Sequence, residues 1–514
     1  NPTAKSDRIP RLVENLYRKM PEIEADRAVL LTESCQKTEG EPTVMRRAKA
    51  FAHILAKIPI TIREEELVVG SSTLAPRGCQ TFPEYSWEWL EAEFDTIEKR
   101  SADPFYISEE TKERLRKVHT YWKGKTNSEL ALSYMAPETV KAMEHNVFTP
   151  GNYFYNGVGH VTVHYDKVLE KGLSGIIREA AEELSRCQVG DADYATKHCF
   201  LEAVIMSCAA VIGYAERYAA LAKREAEDCA DPVRKQELLQ IAENCSRVPK
   251  EGAKSFWEAC QSFWFIQQLL QMEGSGHSIS PGRFDQYMYP YYKKDLDAGK
   301  ITRDQAQELI DCIWVKLNDL NKARDAASAE GFAGYSLFQN LIVGGQDENG
   351  LDVTNDLSFM CIWASHHVFL PQPSLSIRVW NLTPHELMIE AAKLTRTGIG
   401  LPAYYNDEVI IPSLMNRGLT LEDARTYNII GCVEPQKAGK TDGWHDAAFF
   451  NMCRPLEFVF SQGKDRGEQV GALTMRVEDM TTFEEFYDAY KQQMEYCISL
   501  LVNADNSIDT AHAI

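Results

Sequence analysis

The segment Tyr427–Asn428–Ile429–Ile430–Gly431–Cys432–Val433–Glu434–Pro435 holds the residues best suited to chemistry in this 514-residue chain. A short apolar run ends at Gly431, and Cys432 and Glu434 follow at alternate positions. In an extended or looped backbone, residues two apart point to one side, so a thiol and a carboxylate are expected to share one space. Pro435 fixes the exit of the loop. A neighbouring carboxylate raises a thiol's pKa, which disfavours a thiolate nucleophile and leaves thiol chemistry that does not begin with ionisation. Taken alone, the pair also fits a chance Cys and Glu in a turn.

Three other polar clusters add weight. Gly276–His277–Ser278–Ile279–Ser280–Pro281 ends a long helical pattern abruptly, placing adjacent donors and acceptors in a loop. His160 closes Gly157–Val158–Gly159–His160, where glycines permit close backbone approach. Asp446 follows Gly443–Trp444–His445, a few residues beyond Cys432. Each cluster alone more often satisfies local hydrogen bonds than binds a ligand. Metal and nucleotide sites find no support. His160 and His164 fall on an expected strand without an HExxH pattern, and His366 and His367 are neighbours that point apart. Gly274 and Gly276 do not extend to a dinucleotide fingerprint, and Asp347–Gly350 reads as a turn.

These groups must be held by elements the pattern makes visible. The first 140 or so residues read as mostly helical, with Thr43–Ile58 showing apolar positions at Ala48, Phe51, Ala52 and Leu55. Long helices fill Ile176–Met272, divided near Asp231–Pro232 and Val248–Pro249. Thr302/Gln305, Thr383/Glu386 and Thr482/Glu485 have the capping-box form. Strands are expected at Val158–Tyr165, Leu341–Val343, Ser374–Val379 and Leu401–Tyr405, alternating with helices from Leu341 onward. Phe486–Ala513 is a strong helical pattern without a C-cap signal, which fits either fraying or a piece of a longer polypeptide. The expectation is an α/β fold in one domain over 1–514, with a helical region to about residue 150 and a barrel region after it.

Composition excludes other classes. With 75 acidic and 55 basic residues the formal charge is −20, against a nucleic-acid partner. The apolar run Ala203–Ala215 is interrupted by Ser207 and, as a run, too short to span a bilayer. Asn1–Arg11 has no signal-peptide core, and the expected location is the cytoplasm. Thirteen cysteines without a CxxC pair fit a reducing compartment, with Cys208, Cys260 and Cys312 expected as small buried thiols.

Gly431–Cys432–Val433–Glu434–Pro435 resembles the cysteine loop of the glycyl radical enzymes. The resemblance extends through Glu66–Gly70, Asn156–His160, Gly276–Ser280 and Ala403–Asp407, and within the family is nearest the cobalamin-independent dehydratases of glycerol or propane-1,2-diol. It implies a ten-stranded α/β barrel of two five-stranded halves, of which this chain supplies the helical N-terminal region, the first half-barrel and the cysteine loop. It also implies a glycyl radical, installed by a radical-SAM activating enzyme on a glycine outside these residues, with no other bound cofactor and no metal. A homodimer, oxygen sensitivity and a small diol substrate follow from the same likeness, and enclosure in a bacterial microcompartment stays open. No nucleic-acid or membrane partner is expected. By resemblance, Cys432 is the thiyl cysteine, Glu434 takes the substrate hydroxyl proton and His160 protonates the departing hydroxyl. His277, Ser278 and Asp446 would grip the diol oxygens and complete the proton network. Phe338 stands where the glycerol enzyme has Tyr, which favours propane-1,2-diol over glycerol. A sibling lyase splitting a C–N or C–S bond, and a non-catalytic polyol-binding scaffold, remain as alternatives.

Overall fold

The computed structural model describes residues 6–513 except 333–336, 442, 444 and 446, and Asn152 by its backbone alone. The chain forms two compact units. The first comprises Asn1–Thr81, Leu90–Val118 and Gly159–Gly443; the second comprises Phe82–Trp89, His119–Val158 and Trp444–Ile514.

The first unit is organised by parallel strands. We number them β1 (Val161–Thr162), β2 (Ile279–Ser280), β3 (Asn340–Gly344), β4 (Ser374–Val379) and β5 (Ala403–Asn406). β1 pairs with β2, β3 with β4 and β4 with β5, all parallel, and a parallel bridge from Gly282 to Leu341 carries the order from β2 to β3. The order 1-2-3-4-5 follows the chain, and helical crossovers make the parallel returns. Helices Asp356–Val368 and His385–Thr395 make the last two returns. Every residue of β3 is buried, which explains why it reads as a continuous apolar run rather than an alternation. β5 is mostly exposed and forms the edge of this array among the described residues. The core between strands and helices gathers Phe263, Trp264, Phe284, Trp314, Leu341, Leu375 and Leu387. The chain is therefore α/β, and this array has the five parallel strands expected for a half-barrel, apart from a short parallel pair of Ile23–Glu24 with Cys79–Gln80.

The helical expectations fare unevenly. Thr43–Lys57, Pro232–Arg247 and Phe483–Ala513 are helices, close to their expected bounds. Thr302 caps Arg303–Asp319 with a reciprocal Thr–Gln capping box, and Thr482 and Glu485 exchange the same pair of bonds. Thr383/Glu386 does not form one. Pro384 takes the N-cap position, and the Thr383 hydroxyl instead accepts from the Trp380 amide at 2.8 Å. The strand expected over Val158–Tyr165 shortens to Val161–Thr162, because His160 at φ 53° breaks the extended backbone. Ala203–Ala215 lies inside the 35-residue helix Tyr194–Asp228, which by length and composition alone is long and apolar enough to cross a membrane. Tyr214, Ala215, Tyr218 and Ala222 are buried on it, and it packs against Thr43–Lys57, Tyr165–Arg186 and Pro232–Arg247. Cys260 and Cys312 are buried as expected, and Cys208 is half-buried.

The second unit is a separate packing of helices Asn127–Tyr134, Pro137–Glu144, Arg454–Ser461 and Phe483–Ala513. Its antiparallel pair joins Phe148–Pro150 to Ala448–Phe450, and Val147, Phe148, Phe458, Cys497 and Leu500 form its core.

Candidate active site around the cysteine hairpin

After β5 the chain enters a short antiparallel hairpin of β6 (Asn428–Ile430) and β7 (Glu434–Gln436), with Gly431, Cys432 and Val433 as its turn. Cys432 thus sits at the tip and is exposed. Of the extended and looped backbones open at this segment, the structure has the loop. Gly431, at φ 57°, turns the backbone, so strand alternation does not set where the thiol points. A side chain at 431 would also collide, since a Cβ there lies 2.7 Å from Ser278 Oγ and 3.0 Å from Glu434 Oε2. Gly431→Ala should therefore displace the tip and lower any activity that depends on Cys432 about a hundredfold. Anaerobic steady-state kinetics alongside a thermal melt would check this; wild-type kcat would show that the tip does not have to sit against Ser278.

The turn is held from three sides by polar groups. The Gly431 amide donates to Ser280 Oγ at 3.1 Å, and Asn340 Nδ2 donates to the Gly431 carbonyl at 3.1 Å. The Tyr405 hydroxyl donates to the Cys432 carbonyl. Burial first, then the nearby Cys432 and Glu434, push the Tyr405 hydroxyl up to about 12, so it stays protonated as this donor at neutral pH. Ser280, Asn340 and Tyr405 stand on β2, β3 and β5, so the parallel array itself sets the cysteine's position.

Around this hairpin the structure brings together four of the residues singled out in the sequence. His160 Nε2 lies 3.6 Å from Glu434 Oε1, with His160 buried and Glu434 17% exposed at its side chain. The His160 amide donates to the His277 carbonyl at 2.7 Å, and the Val161 amide to the Ser278 carbonyl at 3.3 Å. Gly159 makes this approach possible, because a Cβ there would fall 1.9 Å from the His277 carbonyl oxygen. His277 and Ser278 are both buried. Burial, then the charges of Arg324, Lys322 and His160, hold the His277 imidazole well below its ordinary pKa. Phe338 is half-buried beside them, since the Ser278 amide donates to Leu337 O at 2.9 Å. Asp446 lies outside the described residues.

A shared backbone feature marks the site. His160, Ser278 and Phe338 have φ of 53°, 60° and 50°, and each stands just before β1, β2 or β3. Left-handed backbone is costly for non-glycine residues and gathers where a site requires a fixed side-chain direction. It comes here at the entrances to three neighbouring strands.

The segment bearing His277 is itself clamped. Arg27 donates to Met272 O at 2.7 Å and Glu273 O at 2.9 Å, and Lys322 Nζ donates to Gly274 O at 3.2 Å and to Gly276 O. Sequence reasoning missed these partners, and it missed Asn340 and the role of Ser280. One signal was present: Asn340 is a polar residue fused to the fully apolar Leu341–Val343.

Comparison with known proteins gives this geometry a lineage. The profile of the pyruvate formate lyase-like family matches residues 3–514. The chain belongs to that family of glycyl radical enzymes. Among solved structures of family relatives, one on 1,2-propanediol dehydration in Roseburia inulinivorans is 70% identical with a TM-score of 0.98, covering 100% of this chain and 61% of that one. The B12-independent glycerol dehydratase from Clostridium butyricum, in its glycerol-bound form, is 56% identical with a TM-score of 0.97, covering 99% and 65%. The (2S)-3-sulfopropanediol dehydratase of Klebsiella oxytoca is 35% identical over 517 residues, covering 98% of this chain and 62% of its own length. The present chain thus spans under two thirds of these family members.

Proposed function

We propose that these residues are the cysteine-bearing part of a glycyl radical enzyme, within one pyruvate formate lyase-like domain, that dehydrates a small vicinal diol to an aldehyde and water. The observation that carries this reading is the convergence of His160, His277, Ser278 and Glu434 on the Cys432 hairpin, with His160 and Glu434 3.6 Å apart. The likeness to the dehydratases of Roseburia inulinivorans and Clostridium butyricum supports it.

A glycyl radical on a segment outside these residues would supply the unpaired electron that makes Cys432 a hydrogen-atom acceptor. The hairpin fits that demand, because the thiol is exposed at a tip whose backbone is bound on three sides. Cys432 Sγ then takes a hydrogen atom from the carbon bearing one hydroxyl. Glu434 takes that hydroxyl's proton, which raises electron density at the carbon and weakens the bond to the neighbouring hydroxyl. His160 Nε2 gives a proton to the departing oxygen, so water leaves instead of hydroxide. With Glu434 Oε1 at 3.6 Å, the proton taken by the carboxylate can be returned to the imidazole. Cys432 finally gives its hydrogen atom back, and the balance is diol to aldehyde plus water. His277, Ser278 and, by resemblance, Asp446 fix the two oxygens. Several partners for a vicinal diol match what a specific small-ligand site requires.

Phe338 points the specificity toward propane-1,2-diol, because it offers no hydrogen bond to a third hydroxyl. A radical-SAM activating enzyme, a homodimeric assembly and an anaerobic cytoplasm belong to the same proposal. The test is product analysis with the full-length, activated enzyme. Propanal from propane-1,2-diol is expected, and Phe338→Tyr should raise kcat/KM for glycerol relative to propane-1,2-diol about tenfold. Sulfite or amine release from other substrates, with no diol turnover, would replace this reading by that of a sibling lyase. Diol binding without turnover after radical installation would point to a binding scaffold.

A further inference from the structure

We propose that Arg324 is a positioning residue that fixes the tautomer of His277, leaving the ring's single proton on Nε2 for donation to a substrate hydroxyl. The proposal deepens the diol-dehydratase reading and rests on it for the identity of the acceptor.

The argument begins with what each group can do. A guanidinium carries donors and no acceptor and stays charged in proteins. An Arg324 terminal nitrogen lies 3.2 Å from His277 Nδ1. That contact is a hydrogen bond only if Nδ1 carries no proton and accepts. In a neutral imidazole the proton must then be on Nε2. His277 Nε2 is buried and has no hydrogen-bond partner among the described residues. A buried N–H without a partner costs free energy that a bound hydroxyl recovers.

The surroundings support a neutral, immobile ring. Arg324, Lys322 and His160 are the charged or titratable groups acting on His277, and burial, with the charges of Arg324 and Lys322 after it, opposes a second proton. Lys322 ties down the carbonyls of Gly274 and Gly276, the residues leading into His277. Arg324 is also fixed at its other contacts. Its carbonyl accepts from Arg100 at 2.7 Å, and its guanidinium lies 5.2 Å from the Phe332 ring centre. Phe332 in turn meets Phe338 edge-on at 6.4 Å. One side chain thus orients the histidine expected to hold a diol oxygen and supports the aromatic residue expected to select the substrate. It also separates the two histidines by role. His277 donates a hydrogen bond without transferring its proton, and His160, beside Glu434, moves protons.

Neutron diffraction from the unactivated full-length enzyme, exchanged into deuterated buffer, locates the ring proton directly. Deuterium on His277 Nε2 and none on Nδ1 is expected; deuterium on Nδ1 overturns the proposal. In the activated enzyme, Arg324→Met should raise KM for the diol about tenfold with a smaller fall in kcat, and Arg324→Lys, which keeps a cationic donor, should recover most of it. A wild-type KM in Arg324→Met, or a loss confined to kcat, overturns it as well. Should Arg324→Met fail to fold, the neutron result and the lysine variant still decide. Absence of diol turnover by the wild-type enzyme would remove the proposed substrate, and the proton's position on His277 would still be read.

Discussion

Cys432→Ser in the full-length enzyme should abolish aldehyde formation and leave the fold unchanged. The two parts of this expectation have separate physical grounds. A thiol hydrogen and a carbon-bound hydrogen next to oxygen are held with similar strength, so a sulfur radical can exchange one for the other in both directions. An alkyl O–H bond is far stronger, and serine cannot be turned into the hydrogen acceptor under the same driving force. Folding is insulated because the hairpin tip is fixed by its backbone. Ser280 and Asn340 bond Gly431, and Tyr405 bonds the Cys432 carbonyl, so none of these bonds uses the thiol. At an exposed position such as this, a near-isosteric substitution shifts stability by about 0.5 kcal/mol or less. Anaerobic product assays beside a thermal melt and radical spectroscopy make the check. A variant that still accepts the glycyl radical, melts like wild type and makes no aldehyde meets the expectation. Detectable aldehyde would remove Cys432 from the chemistry.

Why Cys432 was visible in the sequence and its supports were not follows from distance along the chain. The hairpin concentrates a glycine, a thiol, a carboxylate and a proline in five residues, a density that local reading detects. Its anchors come from far away: Ser280 precedes Gly431 by 151 residues and Asn340 by 91. Ser280, after an apolar residue, carries no local mark of that duty, and Asn340, the first residue of β3, is marked only by its polarity beside an apolar run. Helices were legible where propensity and caps agree, as at Thr302. At Thr383 the same pattern failed because its hydroxyl is taken by the Trp380 amide and the helix begins one residue later, with Pro384 as N-cap. Strand ends were least legible. His160, Ser278 and Phe338 have left-handed backbone just ahead of their strands, a conformation that no residue of these types announces. Position at the site, and not intrinsic preference, selects it. Arg324 and His277 show the same limit, 47 residues apart in sequence and in contact in the fold.

Asp407→Ala should strongly destabilise the first unit, although Asp407 is given no part in the reaction. Arg378 and Asp407 are both 0% exposed and form a two-point pair, Nε to Oδ1 at 2.8 Å and the terminal nitrogen to Oδ2 at 2.7 Å. The Tyr427 hydroxyl donates to Oδ1 at 2.9 Å, and Gln346 donates to Oδ2 at 3.1 Å. Arg378 also reaches the carbonyls of Arg425 and Tyr427 and lies 4.1 Å from the Tyr427 ring centre. β4, β5 and the residue just before the cysteine hairpin are therefore joined through one carboxylate. Removing it leaves a fully buried guanidinium that cannot shed its charge, a loss of about 3–5 kcal/mol. Removing both charges should cost much less, because the cost lies in the orphaned ion and not in the missing attraction. Arg378→Met combined with Asp407→Leu should recover most of what Asp407→Ala loses. Denaturation midpoints of the three proteins test this, with the double variant expected nearer wild type than the single. Turnover should fall in the single variant beyond what its unfolded fraction explains, since Tyr427 leads directly into β6 and the Cys432 turn. If Asp407→Ala melts like wild type, the array is held by its apolar core alone and the buried pair has no part in placing the hairpin.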